Sequence, residues 1–195
     1  MEQLTFLTKL DQFEEDINNQ FEIVKEISRG SFATVFLAYP IHSIHQPLVL
    51  KIATELQNEW QILRRLSHPQ IIKVISFHQS GSLQAICMPF VGELTMAGLI
   101  NHSRANRNSP ERSIADDPIS FLRDNGFEFE WNRPSRNYSD LMKIQQIIAV
   151  FRALGHMHQL HLIHRDIKPA NILISFDGRP MLIDFNMAMD TFLYC

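Results

Sequence analysis

The sequence predicts an α+β protein, with a strand-rich N-terminal half and a mainly helical C-terminal half that also carries a β-hairpin. Short β-branched and apolar segments dominate residues 21–91, and one helical pattern interrupts them. A longer helical pattern begins near residue 139. After it, Asp177-Gly178 separates two short apolar runs, which is a strong signal for a hairpin.

Composition limits the class of protein. The chain has 195 residues, of which 45% are hydrophobic and 20% charged, values typical of a globular protein with a buried core. A net charge of −3 provides no basic surface for nucleic acid or an anionic membrane. Two cysteines predict no disulfide framework, and no apolar run approaches the roughly 18 residues of a membrane span. We therefore expect a cytoplasmic protein without a membrane segment and without a nucleic-acid partner.

The N-terminal half contains most of the predicted strands. Residues 1–20 are polar and acidic and predict an N-terminal extension. The strand-like segments that follow are 21–27, 34–39, 48–52, 71–78 and 83–88. Between the third and the fourth, apolar residues at helical spacing predict a helix over 55–66, and Pro69 follows its end.

The C-terminal half begins with an irregular segment. Residues 101–137 are rich in polar residues and proline, and they predict an inserted surface loop. Ser139 can then cap a helix. The apolar stripe on which this helix is expected to pack consists of Leu141, Ile144, Ile147, Ile148, Phe151 and Leu154.

The predicted hairpin has a chemical consequence. It pairs residues 172–174 with 181–183 through a type I′ turn, in which both central residues, Asp177 and Gly178, need positive φ. A hairpin brings its two ends together, so the polar residues on either side of it are expected to meet. These residues are Asp166, Lys168, Asn171 and Asp184. Oxygen ligands beside a lysine suit Mg²⁺ and phosphate, whereas zinc prefers histidine and cysteine.

The same stretch resembles the eukaryotic-type protein kinase family. Residues 164–166 read His-Arg-Asp and, together with Asn171, are similar to the catalytic loop of that family. Asp-Phe at 184–185 is similar to its metal-binding Asp-Phe-Gly element. Lys168, two residues after the aspartate, is typical of the serine/threonine branch.

The resemblance implies a protein-kinase-like fold over residues 21–195. It implies an antiparallel β N-lobe with one main helix over 21–91 and a partial, mainly helical C-lobe over 138–195. It also implies ATP and Mg²⁺ as cofactors and a protein substrate that carries serine or threonine. The implied activity is transfer of a phosphoryl group from ATP to a protein hydroxyl.

The resemblance also implies roles for individual residues. Asp166 would accept the proton of the incoming hydroxyl, and Lys168 would neutralise charge on the transferring phosphate. Asn171 and Asp184 would bind Mg²⁺ and the nucleotide. The remaining nucleotide contacts would come from the phosphate-covering hairpin, the strand lysine with its helix partner, the gatekeeper and the hinge. These residues are Ile27, Gly30, Val35, Lys51, Glu59, Met88, Pro89 and Val91.

Three departures from the family pattern leave alternatives open. Ser28 and Ala33 stand where the phosphate-covering turn has its first and third glycines. Asn186 follows Asp-Phe in place of glycine, and asparagine tolerates left-handed backbone angles. The chain ends at Cys195, before the large helical block of the family, so we expect a fragment or truncated form with an exposed apolar underside.

Three hypotheses follow. The first is a serine/threonine protein kinase present as a fragment or truncated form. The alternative is a catalytically inactive nucleotide-binding or regulatory module of the same ancestry. The third is an interaction fragment whose underside is covered by a protein partner.

Overall fold

The computed structural model describes residues 19–41, 46–105 and 140–194. These residues form two compact units, each with its own buried core. The first unit contains the described residues up to 67 together with 72–90 and 185–188. The second contains 68–71, the described residues of 91–184, and 189–194.

The first unit is built on an antiparallel sheet of five strands. The strands are β1 (Phe21–Arg29), β2 (Thr34–Pro40), β3 (Leu48–Ala53), β4 (Ser76–Ser80) and β5 (Leu83–Pro89). Their order across the sheet is β1-β2-β3-β5-β4, and helix α1 (Gln57–Leu63) lies between β3 and β4 in sequence. The predicted antiparallel N-terminal sheet with one main helix is thus confirmed.

The two faces of this sheet carry different sets of residues. Alternate residues of β2, β3 and β5, together with Phe21 of β1, form one apolar core, because side chains alternate across a strand. Its buried members are Phe21, Phe36, Ala38, Leu48, Leu50, Ile52, Leu83, Ala85 and Cys87. Lys51 lies between Leu50 and Ile52 in β3 and therefore points to the opposite face, where Leu56 and Ile86 form a second cluster.

Two predicted elements of the first unit differ from the structure. The segment 71–78 forms a strand only from Ser76, because Ile71 belongs to the second unit, where it makes a parallel bridge to Leu182. The helix predicted over 55–66 is shorter and ends at Leu63. Beyond it, the amides of Arg65 and Leu66 bond to carbonyls three residues earlier, which tightens the last turn.

The second unit combines helices with two small antiparallel pairs of strands. Its helices are α2 (Met96–Ala105) and α3 (Asp140–Gln159), and a 3₁₀ turn spans Pro169–Asn171. Strands β6 (Leu162–Ile163) and β9 (Met189–Asp190) form one pair, and β7 (Ile172–Ile174) and β8 (Pro180–Leu182) form the other. Helix α3 packs against β6 and β8, whereas α2 packs against β7 and the 3₁₀ turn.

The hairpin β7–β8 is confirmed, but its predicted type I′ turn is wrong. The connection contains five residues, 175–179, and only Gly178 has positive φ there (80°). The Ser175 carbonyl accepts from the Gly178 amide at 2.8 Å, and the Ser175 hydroxyl donates to the carboxylate of Asp177. These local bonds to serine and aspartate side chains favour the longer loop over the two-residue turn.

The predicted packing face of α3 is also wrong. Among residues 144–159 of this helix, the buried ones are Gln146, Val150, Ala153 and Met157, which recur every three or four positions. Ile144, Ile148 and Phe151 of the predicted stripe are exposed instead, Phe151 by 66%. The helix carries two apolar stripes of the same period, so the pattern alone does not say which one faces the core. Exposed apolar side chains are thus present on α3, as expected. The hairpin was expected to expose apolar residues as well, but its Ile172, Leu173, Ile174 and Leu182 are buried.

Several predictions fall on residues outside the described ranges. The N-terminal extension lies there apart from its last two residues, 19 and 20, and so do Ser139 and residues 106–137 of the predicted insertion. Residues 101–105, where that insertion was expected to begin, continue helix α2. Of the helices in the described ranges, none has the length and apolar character needed to cross a bilayer.

Candidate active site

The first unit holds a buried ion pair between β3 and α1. The ammonium group of Lys51 bonds both carboxylate oxygens of Glu59, at 2.7 and 2.9 Å, and both side chains are almost fully buried. A buried ion pair adds little net stability, because desolvation of the two charges offsets their attraction. The pairing expected of Lys51 and Glu59 is thus present.

A second segment of the first unit contacts this pair. The backbone amide of Phe185 donates to Oε1 of Glu59 at 3.0 Å, and Nζ of Lys51 donates to Oδ1 of Asn186 at 3.2 Å. Asn186 was expected to take left-handed backbone angles in place of the glycine of the family. Instead the left-handed residue is Asp184 (φ 61°), and Asn186 has ordinary angles.

The predicted phosphate-covering turn joins β1 and β2. Its four residues, 30–33, are closed by a bond of 2.9 Å from the Gly30 amide to the Ala33 carbonyl. In the sheet, Val35 lies directly opposite Lys51. Ile27 lies at a bulge of β1, since two residues of β1 there oppose one of β2. Assignment of these residues to a nucleotide remains a prediction.

The predicted gatekeeper and hinge follow β5. Met88 is half-buried and packs against the cluster that contains Leu56 and Ile86. Pro89 ends β5, as expected of a residue without a backbone N–H. In the second unit, the carbonyl of Val91 accepts from the amide of Phe176 at 2.8 Å. A carbonyl oxygen has two lone pairs, so this bond leaves one acceptor position at Val91. The contact of Val91 with adenine remains a prediction.

The second unit gathers the polar residues of the predicted catalytic loop. The carboxylate of Asp166 accepts from Nζ of Lys168 at 2.7 Å and from Nδ2 of Asn171 at 2.8 Å. Nδ2 of Asn171 also donates to the backbone carbonyl of Asp166, at 2.9 Å. Asp166, Lys168 and Asn171 therefore form one hydrogen-bonded cluster, as the sequence predicted.

The hairpin β7–β8 connects this cluster to Asp184. The amide of Ile183 donates to the carbonyl of Asn171 at 3.1 Å, so Asp184 follows directly after a residue bonded to the cluster. The charge of Asp184 also contributes to the raised pKa of Lys168. The folding back that the sequence predicted thus brings all four polar residues to one end of the hairpin.

His164 is a buried residue that bonds to both sides of the Asp166 cluster in sequence, at Asp166 and at Ile183. Its side chain is 1% exposed, its Nε2 lies 3.2 Å from the carbonyl of Ile183, and its Nδ1 accepts from the Asp166 amide at 3.4 Å. This pattern requires a neutral ring protonated on Nε2. Burial lowers the pKa of His164, which favours that neutral form.

The charges of the cluster support its ionised state. The hydrogen bond from Lys168 holds the pKa of the Asp166 carboxyl below its usual range, and the bond from Asn171 acts in the same direction. The same bond to Asp166 raises the pKa of the Lys168 ammonium. Asp166 is therefore a carboxylate at neutral pH, the form that can accept a proton from a hydroxyl group.

The donor set fits Mg²⁺ better than a tightly chelated transition metal. Within the described residues, no group of three or more histidine, cysteine, aspartate or glutamate side chains could hold a metal ion. Mg²⁺ needs only one or two protein ligands, because phosphates and water complete its coordination. Asn171 uses its amide nitrogen for both bonds to Asp166, so its amide oxygen faces away from those contacts and suits a hard cation.

Two contacts of the candidate site are not predicted by the sequence. The bond between Asn186 and Lys51 was not anticipated, although the asparagine was already visible as a departure from the pattern. The bond from the Phe185 amide to Glu59 involves a backbone group, for which the sequence carries no signal.

The chain belongs to the protein kinase domain family, which matches residues 21–191. Among its curated relatives, it is 25% identical over 178 residues to the serine/threonine-protein kinase PknD of Protochlamydia amoebophila, covering 86% of this chain and 16% of that protein. It is 25% identical to the Aurora kinase of Schizosaccharomyces pombe, covering 87% of this chain and 41% of the relative.

A third relative is the calcium/calmodulin-dependent protein kinase type 1B of Homo sapiens. It is 25% identical over 190 residues, which cover 92% of this chain and 46% of the relative. The chain thus spans less than half the length of each of these three relatives. The similarity extends over most of the chain and establishes distant homology to serine/threonine protein kinases.

Proposed function

We propose that this chain is the ATP-using part of a serine/threonine protein kinase and that it transfers the terminal phosphoryl group of ATP to a protein hydroxyl. The observation that supports this most directly is the Asp166 cluster, with its carboxylate bonded to Lys168 and Asn171. Family membership over residues 21–191 supports the same reaction class. The relative PknD is a serine/threonine-protein kinase by name, which favours serine or threonine as the acceptor.

Asp166 would orient the incoming hydroxyl and accept its proton, since its carboxyl group is ionised. Lys168 would balance the charge of the transferring phosphoryl group from its position beside Asp166. Phosphoryl transfer depends mainly on positioning and electrostatic stabilisation. A cluster whose members are already bonded to one another therefore needs little reorganisation during the reaction.

In the first unit, Lys51 would bind the phosphates of ATP, with Glu59 holding its ammonium group in place. Asn171 and Asp184 would bind Mg²⁺ through oxygen atoms. When bound, Mg²⁺ neutralises phosphate charge and so favours transfer. Gly30 and Val35 would cover the phosphates, with Ile27 above the nucleotide base, and Met88, Pro89 and Val91 would contact that base.

Replacement of Asp166 by asparagine tests this proposal. General-base assistance contributes about 10²–10⁴-fold to such reactions, so Asp166→Asn should reduce phosphate incorporation into a generic basic protein by about that factor. Asp177→Asn is the matched control, because it removes a carboxylate from the exposed hairpin loop of the same unit. Analysis of the labelled product for phosphoserine and phosphothreonine tests the acceptor class.

The inactive module remains the second candidate, because Ser28 and Ala33 replace two glycines of the predicted phosphate-covering turn. Stabilisation of the wild-type chain by ATP with Mg²⁺, without phosphate incorporation, would select this candidate. Equal incorporation by wild type and Asp166→Asn would contradict the role given to Asp166. If the chain showed no ATP binding and no phosphate transfer, both candidates would be refuted.

A further inference from the structure

A ring of hydrogen bonds joins residues 185–186 to strand β3 and helix α1 in the first unit. Lys51 bonds Glu59 at 2.7 and 2.9 Å, Glu59 accepts from the Phe185 amide at 3.0 Å, and Asn186 accepts from Lys51 at 3.2 Å. The peptide link between Phe185 and Asn186 closes the ring. One residue of the segment thus contacts the acid of the ion pair, and the next contacts the base.

The far end of the same segment is also bonded to α1. Nδ2 of Asn58, the residue before Glu59, donates to the carbonyl of Ala188 at 3.1 Å. Ala188 and Phe185 are both almost completely buried. Two successive residues of α1 therefore hold the segment 185–188 at both of its ends, and Asn186 provides the side-chain contact between them.

Asn186 supplies a contact that a smaller side chain cannot make. Its amide oxygen bonds a charged donor, and such bonds are stronger than those between neutral groups. With glycine or alanine at position 186, the hydrogen bond from Lys51 to this residue would be lost and the ring would be interrupted there. Because Asn186 has ordinary backbone angles, alanine fits there without strain and removes only the side-chain contact.

We propose that Asn186 is a positioning residue that fixes Lys51 against Glu59 and holds the segment 185–188 on helix α1. This inference rests on the proposed function only for the role of Lys51 in binding ATP. A lysine held in place before the nucleotide arrives does not have to be ordered on binding, which lowers the entropic cost of binding. Asn186 would thus keep this part of the site assembled in the nucleotide-free protein.

Hydrogen exchange of the Phe185 amide in the nucleotide-free chain tests the proposal, because this amide donates directly to Glu59. Asn186→Ala should speed its exchange about tenfold, the effect of losing one charge-assisted hydrogen bond. Asn186→Asp retains an oxygen acceptor for Lys51 and should preserve most of the protection. The Ile75 amide, bonded to Cys87 in the first unit, should be unchanged and reports that this unit is folded in the variants.

A double-mutant cycle with Lys51→Met separates positioning through the lysine from a general loss of stability. If Asn186 acts through Lys51, then Lys51→Met with Asn186→Ala should exchange at the rate of Lys51→Met alone. Unchanged exchange in Asn186→Ala, or two effects that multiply in the double variant, would overturn the proposal. If the exchange data behave as expected but ATP with Mg²⁺ fails to bind, the proposed function fails and the positioning role stands.

Discussion

Two residues next to or within the predicted catalytic cluster have strained backbone conformations. Among the described residues, only three non-glycine residues have positive φ, and two of them are Arg165 and Asp184. Left-handed angles cost roughly 1–2 kcal/mol for such residues, and strained conformations concentrate at functional sites. Arg165 precedes Asp166 directly, and Asp184 is itself a predicted metal ligand. The strain therefore lies where the chain presents its two key carboxylates.

The buried His164 of the predicted catalytic loop should make stability depend on pH. Burial lowers the pKa of His164 in the folded chain below its ordinary 6.5, so the unfolded chain binds more protons. The free energy of unfolding should therefore fall as the pH drops below about 6.5. His68 and His78, whose pKa values are also lowered by burial, act with the same sign.

Chemical denaturation between pH 5 and 8 measures this effect. His164→Phe should be less stable than wild type at neutral pH, because the bond to Ile183 is lost. Its free energy of unfolding should nevertheless depend less steeply on pH. An equal slope in the two proteins would show that His164 does not titrate as inferred.

At the scale of elements, helix α3 has two apolar faces, either of which could pack against the core. Val150, Ala153 and Met157 face the core, while Ile144, Ile148 and Phe151 face outward. Both sets recur with the helical period. The buried set includes a small residue and lies on the same face as Gln146, whose amide donates to the Gly178 carbonyl at 2.9 Å. A buried polar residue lowered the apparent apolarity of the true packing face.

Substitutions on the two stripes should differ in how much they lower the free energy of unfolding. Met157 is fully buried, so Met157→Ala should lower the free energy of unfolding by about 2–5 kcal/mol. Phe151→Ala on the exposed stripe is the control and should change it by no more than about 0.5 kcal/mol. Urea denaturation measures the free energy of unfolding of both variants. A larger loss at Phe151 than at Met157 would mean that the predicted stripe packs after all.

The connection between β5 and α2 depends on one glycine. Gly92 has φ of 150°, and a Cβ there would lie 2.7 Å from the backbone carbonyl oxygen of Ile174 in β7. Backbone atoms cannot yield as a flexible side chain can. Gly92→Ala should therefore lower the free energy of unfolding by about 1–3 kcal/mol.

Gly155 offers the matched control for this substitution. It lies within helix α3, and an added Cβ meets nothing within 4 Å. Gly155→Ala should raise the free energy of unfolding by about 0.5–1 kcal/mol, because alanine is the better helix former. Thermal melts of both variants measure these changes in stability. Two changes of the same sign would contradict the close approach inferred at Gly92.

At the scale of the whole molecule, each unit carries a different part of the predicted chemistry. The first unit holds the Lys51–Glu59 pair on its sheet and helix, and the second holds the Asp166 cluster at the end of its hairpin. Each part is organised by bonds within its own unit. The proposed reaction requires both parts, so nucleotide binding by the complete chain is the informative measurement.

ATP with Mg²⁺ should raise the melting temperature of the chain. Ligand at about 100 times its dissociation constant contributes roughly 2.7 kcal/mol, which corresponds to about 5–10 °C for a protein of this size. Lys51→Met should abolish most of this shift, whatever its own melting temperature. Lys73→Met, which removes an exposed lysine from the same unit, should retain it. Equal shifts in the two variants would contradict the role given to Lys51.

Local sequence patterns are sufficient to predict which residues form the candidate site. Hairpin pairing follows from local periodicity and turn residues, so Asp166, Asn171 and Asp184 are expected to lie together. The pairing of Lys51 with Glu59 was expected from the family resemblance. The alternation along β3 likewise follows from local pattern, because side chains of a strand point to opposite faces.

Other features of the fold and of the site depend on tertiary contacts. Which apolar stripe of α3 packs, how far the first helix extends, and the contact of Asn186 with Lys51 all depend on residues distant in the chain. Asn186 and Lys51 are 135 positions apart, and no local pattern encodes their contact. Local preferences are weak compared with the free energy of packing, so a sequence predicts its elements better than the contacts between them.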